Sequence, residues 1–251
     1  MLFYDLSKEE REKLVQRILG EILSEIRSGK KSKTKKYFSD EDTYIRKAGY
    51  QAIGKIYVGE LSLRGKIISL MEILMNSDNA KVRQTVVNTA GEIGIHDFKT
   101  VEKFFHQGLF DEHHSVRNAV IGSMKKMGEK NPKPVLAFAK QYLQHENKEV
   151  RREICHGIEL RGRTHPEDIL PLLKELEFDK TARVRNTLIH VLGQIAYKKN
   201  CLEKVIAHLK TWKNASVVKE AIDEILDVHV RYKNFSYKTH SEAKKYVEKN
   251  F

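Results

Sequence analysis

Apolar and polar positions along the chain repeat on a beat of 34 residues. Val82-Arg83, Val116-Arg117, Val150-Arg151 and Val184-Arg185 each stand 34 residues after the last. A further step reaches Val218-Lys219, and Ile45-Arg46 lies 37 residues before Val82-Arg83. Three, four and seven residues after each Arg the positions are mainly apolar: Val86, Val87 and Ala90; Val120, Ile121 and Met124; Leu188, Ile189 and Leu192. That spacing predicts an amphipathic helix starting at each pair, with this face buried. An earlier helix is predicted in each unit, for example over 64–75 and 167–176. Short turns divide the two: Asp40-Glu41-Asp42, Asp78-Asn79, Asp111-Glu112, Glu146-Asn147 and Asp179-Lys180. Carboxylates there can cap the second helix and complement its dipole. One such helix pair cannot bury its apolar face alone, so the units must stack. The predicted fold is all-α, an α-solenoid of about six helical repeats.

The flanks are less regular. Residues 1–30 read as one helix that caps the first repeat, with Leu14, Ile18, Ile22 and Ile26 as its buried stripe. Five lysines in seven residues follow, from Lys30 to Lys36. Such a run is expected to be a solvated, mobile linker or a phosphate-gripping arm, with Lys33 and Lys35 as candidate contacts. The division is then 1–36 for the cap and basic linker, 37–228 for the repeat array and 229–251 for a C-terminal cap, all one structural domain. Basic and aromatic residues interleave from Arg231 to Lys238, a pattern that either seals the last repeat or stacks on bases. Sealing is the expectation.

Composition narrows the partners. Charged residues make up 32% and aromatics 8%, with four prolines, which favours helix over a β-sandwich. A formal net charge of +12 favours polyanionic partners. There is no run of 18 apolar residues, no signal peptide and no lipidation motif, which argues for a cytoplasmic protein without a membrane partner. Cys155 and Cys201 lie within helical patterns and read as buried, reduced thiols. There is no Cys-x-x-Cys, His-Glu-x-x-His, Gly-rich dinucleotide or phosphate loop. His113-His114, His96, His106, His145 and His208 lack ligand spacing. The expectation is a monomer with no metal and no cofactor.

A candidate surface emerges by elimination. One residue after each Arg stand Lys47, Gln84, Asn118, Arg152, Asn186 and Glu220. Five after it stand Gln51, Asn88, Gly122, His156, His190 and Glu224. Positions i and i+4 share a helix face, so these columns should form one polar row across stacked repeats. Its amides and imidazoles can donate to phosphate or sugar oxygens, or serve only as solvated surface. The row turns acidic at the last repeat, where a groove should end. Eight after the Arg come Gly54, Gly91 and Gly193, where a backbone could be approached closely. Arg46, Arg83, Arg117, Arg151 and Arg185 themselves are expected to hold turns together and not to touch a ligand.

The 34-residue unit, with its turn acid and helix-opening Arg, resembles HEAT repeats. Within it, Glu149-Val150-Arg151-Arg152, then Arg161-Gly162-Arg163, Leu170-Pro171-Leu172-Leu173, Arg183-Val184-Arg185-Asn186 and Trp212 resemble the HEAT-like DNA alkylation-repair family of bacterial alkylpurine DNA glycosylases. The resemblance is sharp over 149–212 and rests elsewhere on repeat length. It implies duplex DNA held by its backbone in a basic concave groove, and excision of cationic alkylated purines assisted by a carboxylate. It implies phosphate contacts for Arg152, Arg161 and Arg163, the last two in a turn that Gly162 opens to close approach. The chain departs from the family where a Trp and an Asp are expected, because His113 and Arg117 stand there. His190 stands where a second aromatic is expected. Asp111, Glu112, Glu153, Glu159 and Asp168 are the remaining carboxylates; Asp111 and Glu112 serve as turn caps, Asp168 reads as a helix-start carboxylate, and Glu153 and Glu159 are better placed for the groove, with no ground for choosing between them. The functional expectation is a DNA-binding HEAT protein with doubtful excision activity; the alternative is a protein-interaction scaffold.

Overall fold

The computed structural model describes residues 2–251. The chain divides into two compact units, Met1–Ser123 and Met124–Phe251. The division falls inside helix α7, His114–Lys130. Among the described residues all regular structure is helical.

In the first unit, α1 spans Lys8–Ser28. Ser7 and Glu10 form a capping box at its start, and Gly29 ends it at φ 74°. This positive φ is one that Gly adopts without a Cβ penalty. Ile18, Ile22 and Ile26 are buried, as the stripe predicts, and Leu14 is half-buried. The basic segment departs from its expected character as a mobile linker. It forms α2, Ser32–Phe38. The cause lies on α1, where the Glu25 carboxylate accepts from Lys33 N and Thr34 N at 2.8 Å and from the Thr34 hydroxyl at 2.9 Å. A buried carboxylate thus supplies the cap for the free N–H groups at the start of α2. Thr34 and Phe38 are buried; Lys33 and Lys35 are exposed, and Lys33 pairs with Glu21 at 3.2 Å.

Then come the repeat helices of this unit: α3 (Thr43–Gly59), α4 (Arg64–Met75), α5 (Ala80–Gly94), α6 (Phe98–Leu109) and the first part of α7. In the second unit follow α8 (Pro132–Tyr142), α9 (Lys148–Gly157), α10 (Glu159–Gly162), α11 (Pro166–Lys174), α12 (Ala182–Ala196), α13 (Leu202–Leu209), α14 (Ala215–Arg231) and α15 (His240–Asn250). Every core position predicted three, four and seven residues after an Arg is buried. One register differs. The buried valine that is third in its helix is Val82, Val116, Val150 and Val184, but in α14 it is Val217. The last step is therefore 33 residues, and Val218, not Lys219, holds the Arg position.

The helix-opening arginines share one geometry. Nη1 of Arg46 donates to the Asp40 and Glu41 carbonyls, that of Arg83 to Ser77 and Asp78, that of Arg117 to Asp111 and Glu112, and that of Arg151 to His145 and Glu146. Arg185 does the same to Asp179. Two of them also reach the next repeat. Arg83 grips Asp111 through Nε at 2.7 Å and Nη2 at 2.9 Å, and Arg151 grips Asp179 at 2.5 and 3.1 Å. These bidentate pairs sit 28 residues apart in sequence and are largely buried.

The C-terminal segment seals its unit in part. Tyr232 stacks on Tyr197 at 5.3 Å, and Tyr237 N donates to the Tyr197 carbonyl. Ala243 and Val247 of α15 are buried, but Phe235 and Tyr237 remain exposed. Trp212 is buried and donates to His208 Nδ1 at 2.9 Å, a packing role. Cys155 and Cys201 are buried free thiols, and burial raises the pKa of both. No described helix is long and apolar enough to cross a membrane.

Burial disfavours the Asp111 and Asp179 carboxylates, but the arginine hydrogen bonds outweigh it and hold both below the ordinary Asp range. A depressed folded pKa means that this stabilisation is present at neutral pH and is lost as pH falls below about 4. Arg83→Ala is expected to destabilise the chain by about 3–5 kcal/mol at pH 7, since it leaves Asp111 buried and unpaired. Denaturant unfolding as a function of pH should show that difference shrinking in acid.

Candidate functional site

The two polar columns face solvent as the elimination argument requires. Lys47, Asn118 and Asn186 are exposed, and Gln51, Gln84, Asn88, Arg152, His156 and His190 are half-buried. In the second unit, α9 and α12 bring Arg152, His156, Asn186 and His190 together. With Arg183 and Thr187 they line a cleft of about 420 Å³. The His156 and His190 rings meet edge to face at 6.0 Å, because they hold the same position in adjacent repeats. Next to it, Asn186 and His190 are shared with a second cleft whose far wall is Glu220, Asp223, Glu224 and Asp227. The row does turn acidic at the last repeat. With the 33-residue step, Lys219 and Asp223 hold the column positions there.

The arginines divide. Arg152 stays at the cleft, held by Glu149 at 3.0 Å and Glu153 at 3.2 Å. Arg161 and Arg163 do not lie in an open turn. Residues 159–162 form α10, and Arg163 caps it. Arg161 pairs with Asp168 of α11 at 2.7 Å. Arg163 binds Glu159 and donates to Gln194 Oε1 at 2.8 Å. Gly162 serves packing, since a Cβ there would meet Ile195 Cδ1 at 2.5 Å. The glycines eight after the Arg are likewise filled by protein. A Cβ on Gly54 would meet Glu92, on Gly91 Ser123, and on Gly193 Glu224, each within 2.7 Å. They set the closeness of neighbouring helices and leave no space for a ligand. Asn118, Lys33 and Lys35 belong to the first unit and are not among this cleft's lining residues.

Two residues in that eighth position are charged, Lys125, which the sequence reading did not single out, and Glu159, one of its candidate carboxylates. Where other repeats have Gly, Lys125 and Glu159 stand 34 residues apart, and they pair at 3.0 Å. Read down to its non-glycine members, the column itself points to this pair. Glu159 is almost wholly buried, at 1% exposure. Its Oε2 takes Lys125 and His156 Nε2, the latter at 3.1 Å, while Oε1 takes Arg163. Burial opposes its ionisation, but His156, Lys125 and Arg163 prevail and pull its pKa down to about 2. For His190, burial dominates and lowers the pKa, with Glu159 opposing.

One group of side chains among the described residues has the donor types of a metal site. His156, Glu159 and His190 offer ligand atoms all within 4.8 Å of one another. Linear spacing hid this, because His190 comes from the next repeat.

Where the resemblance leads to an expected Trp and Asp, His113 Nδ1 contacts the Ser115 hydroxyl at 2.7 Å and accepts from Ser115 N at the opening of α7, and Arg117 is tied to the preceding turn. The other carboxylates are engaged too: Asp111 and Glu112 with Arg83, Glu153 with Arg152, and Asp168 with Arg161.

Stacked helix pairs with this arginine arrangement define a HEAT-repeat α-solenoid. A family model for HEAT repeats matches residues 136–226. Among solved structures, the fold is similar to smu.31 from Streptococcus mutans UA159 and to AlkD2 from Streptococcus mutans, both at 21% identity and TM-score 0.53. The first match covers 75% of this chain and 97% of that one; the second covers 81% and 96%. A TOG-domain structure of crescerin, described as regulating microtubules in the primary cilium, matches at 19% identity and TM-score 0.50, over 74% of this chain and 85% of that one. No curated protein matches the sequence.

The Glu159 geometry carries a stability test. Glu159→Gln leaves Lys125 and Arg163 without their shared anion and is expected to cost about 3–5 kcal/mol at pH 7. Since the folded pKa is about 2, the deficit should persist to pH 4 and close only as pH approaches 2. Parallel denaturant melts of the two proteins at each pH measure it.

Proposed function

We propose that this chain is a nucleic-acid-binding HEAT protein of the alkylation-repair type, which grips duplex DNA by its backbone and does not excise bases. The observation that carries the reading is the cleft where Arg152, His156, Asn186 and His190 converge with the exposed Arg183. Its donors suit phosphate oxygens: a guanidinium at each side, an amide and two imidazoles between. The net charge of +12 favours the same partner class, and the fold likeness to AlkD2 is consistent with it. Arg183 is the readiest phosphate contact, 66% exposed and held only by Glu149 at 3.0 Å. Lys33 and Lys35 add basic surface on the first unit. Arg161 and Arg163 act as internal braces in this reading. Excision is left out because the carboxylates nearest the row are engaged by cations and Arg117 holds a turn.

Binding to an unmodified duplex should be measurable near 50 mM salt and fall steeply as salt rises, with a log–log slope reporting the phosphates engaged. Arg183→Glu combined with Asn186→Asp should weaken binding at least tenfold and flatten that slope. Arg161→Ala should leave both unchanged. A duplex that shows no binding at about 50 mM salt would overturn the reading. Release of base from a methylated duplex would overturn the non-excising part alone.

A further inference from the structure

The His156–Glu159–His190 cluster shares two imidazoles with the proposed nucleic-acid cleft, but the binding reading makes no use of Glu159 or of the way the three groups converge. Its ligand atoms come from three places that the fold fixes independently: His156 from α9, Glu159 from α10 and His190 from α12 of the next repeat. All three lie within 4.8 Å of one another. A tetrahedral zinc ion holds its ligand atoms about 3.3 Å apart at bond lengths near 2.0 Å. Small side-chain rotations in two half-buried imidazoles close that gap. Two histidines and one glutamate are a set that zinc accepts, with a fourth position left for water or a substrate oxygen. That position would face the cleft lined by His156 and His190.

The surroundings are those of an oriented ligand set. Arg163 holds the Glu159 oxygen that does not meet His156, and Gln194 in turn holds Arg163. Glu224 lies 3.8 Å from His190 Nδ1 and is itself fixed by Arg231 at 2.6 Å. Metal-binding carboxylates and imidazoles are regularly positioned by such partners. One group opposes the ion. Lys125 Nζ stands 3.0 Å from the Glu159 oxygen that the metal would take, with its side chain 23% exposed. It must swing toward solvent when metal binds, so Lys125 acts as a built-in competitor. Of the two guanidiniums that line the cleft, Arg152 pairs with Glu149 and Glu153, and Arg183 pairs with Glu149.

We infer that His156, Glu159 and His190 form a binding site for one divalent transition-metal ion of the zinc type, open on the side of the cleft, with Lys125 as its internal competitor. The inference shares His156 and His190 with the proposed nucleic-acid cleft but does not rest on that reading. The test uses zinc alone with the full chain and no nucleic acid, so it can fail or succeed separately from the DNA titration. Calorimetric titration should show one site per chain. His156→Ala and His190→Ala should each weaken it at least tenfold, with circular dichroism showing that both variants remain folded at the titration temperature. Lys125→Met should tighten it several-fold, a change opposite in sign that general surface binding would not produce. Cobalt should give the intense visible bands of a tetrahedral site in the parent and lose them in the His190 variant. The stacked His113-His114 pair, at 4.8 Å, is the control surface. Zinc binding that disappears in His113→Ala/His114→Ala and survives in the cluster variants overturns the inference. So does absence of binding, or a Lys125→Met chain that binds zinc no better than the parent.

Discussion

Five of the six repeats close on one guanidinium folded back over the carbonyls of the turn before the second helix. Those carbonyls follow the end of a first helix, where backbone acceptors have no partners of their own. The Arg supplies donors in a fixed fork, and Lys, a single point charge, could not address both carbonyls and a carboxylate at once. With the turn fixed, the angle between the two helices is fixed, and so is the face each buries. Arg83 and Arg151 extend the device by reaching Asp111 and Asp179 in the following repeat. Helix pairing and repeat stacking therefore share an element. A site built from equivalent positions of adjacent repeats, such as His156 beside His190, inherits its precision from it.

The candidate surface shows how one helix serves two purposes. Positions three, four and seven after the Arg build the core, and positions one and five face outward. The eighth lies between, against the neighbouring helix, and its occupant decides how two second helices meet. Gly allows backbone and Cβ contact. The Lys125–Glu159 pair replaces that contact with charge, and the second helix is interrupted at Ile158 just before it. Glu159 is thereby set beneath His156, where one carboxylate connects a lysine, an arginine and an imidazole.

Much of this was legible in the sequence, because helical repeats convert linear spacing into lateral neighbourhood. From Arg83 to Arg185 the core faces, the outward columns and the turn-binding arginines follow from counting in steps of 34. The failures have physical reasons. The basic segment carries no apolar pattern of its own, and its helix depends on Glu25, eight and nine residues away on another helix. Arg161 and Arg163 flank a Gly that looks like a turn, but that Gly is needed by Ile195 of the next repeat. The final register slips by one residue because Val217 and Val218 are both acceptable at the core. The histidine cluster was missed because ligand motifs are sought along one helix, whereas here they run across two.

The pair in the eighth column has a consequence for how the chain reaches its native order. Tandem repeats are similar enough to dock on the wrong neighbour, and such misassembly is a characteristic hazard of repeat arrays. Glycine at this position accepts many partners. Glu159 does not: stacked against any helix other than one presenting Lys125 or an equivalent cation, it would be buried without its ammonium partner, at a large cost. The fourth repeat thus carries an address, readable only by the third. A charge placed where its siblings have glycine makes one joint in an otherwise interchangeable series distinguishable from the rest.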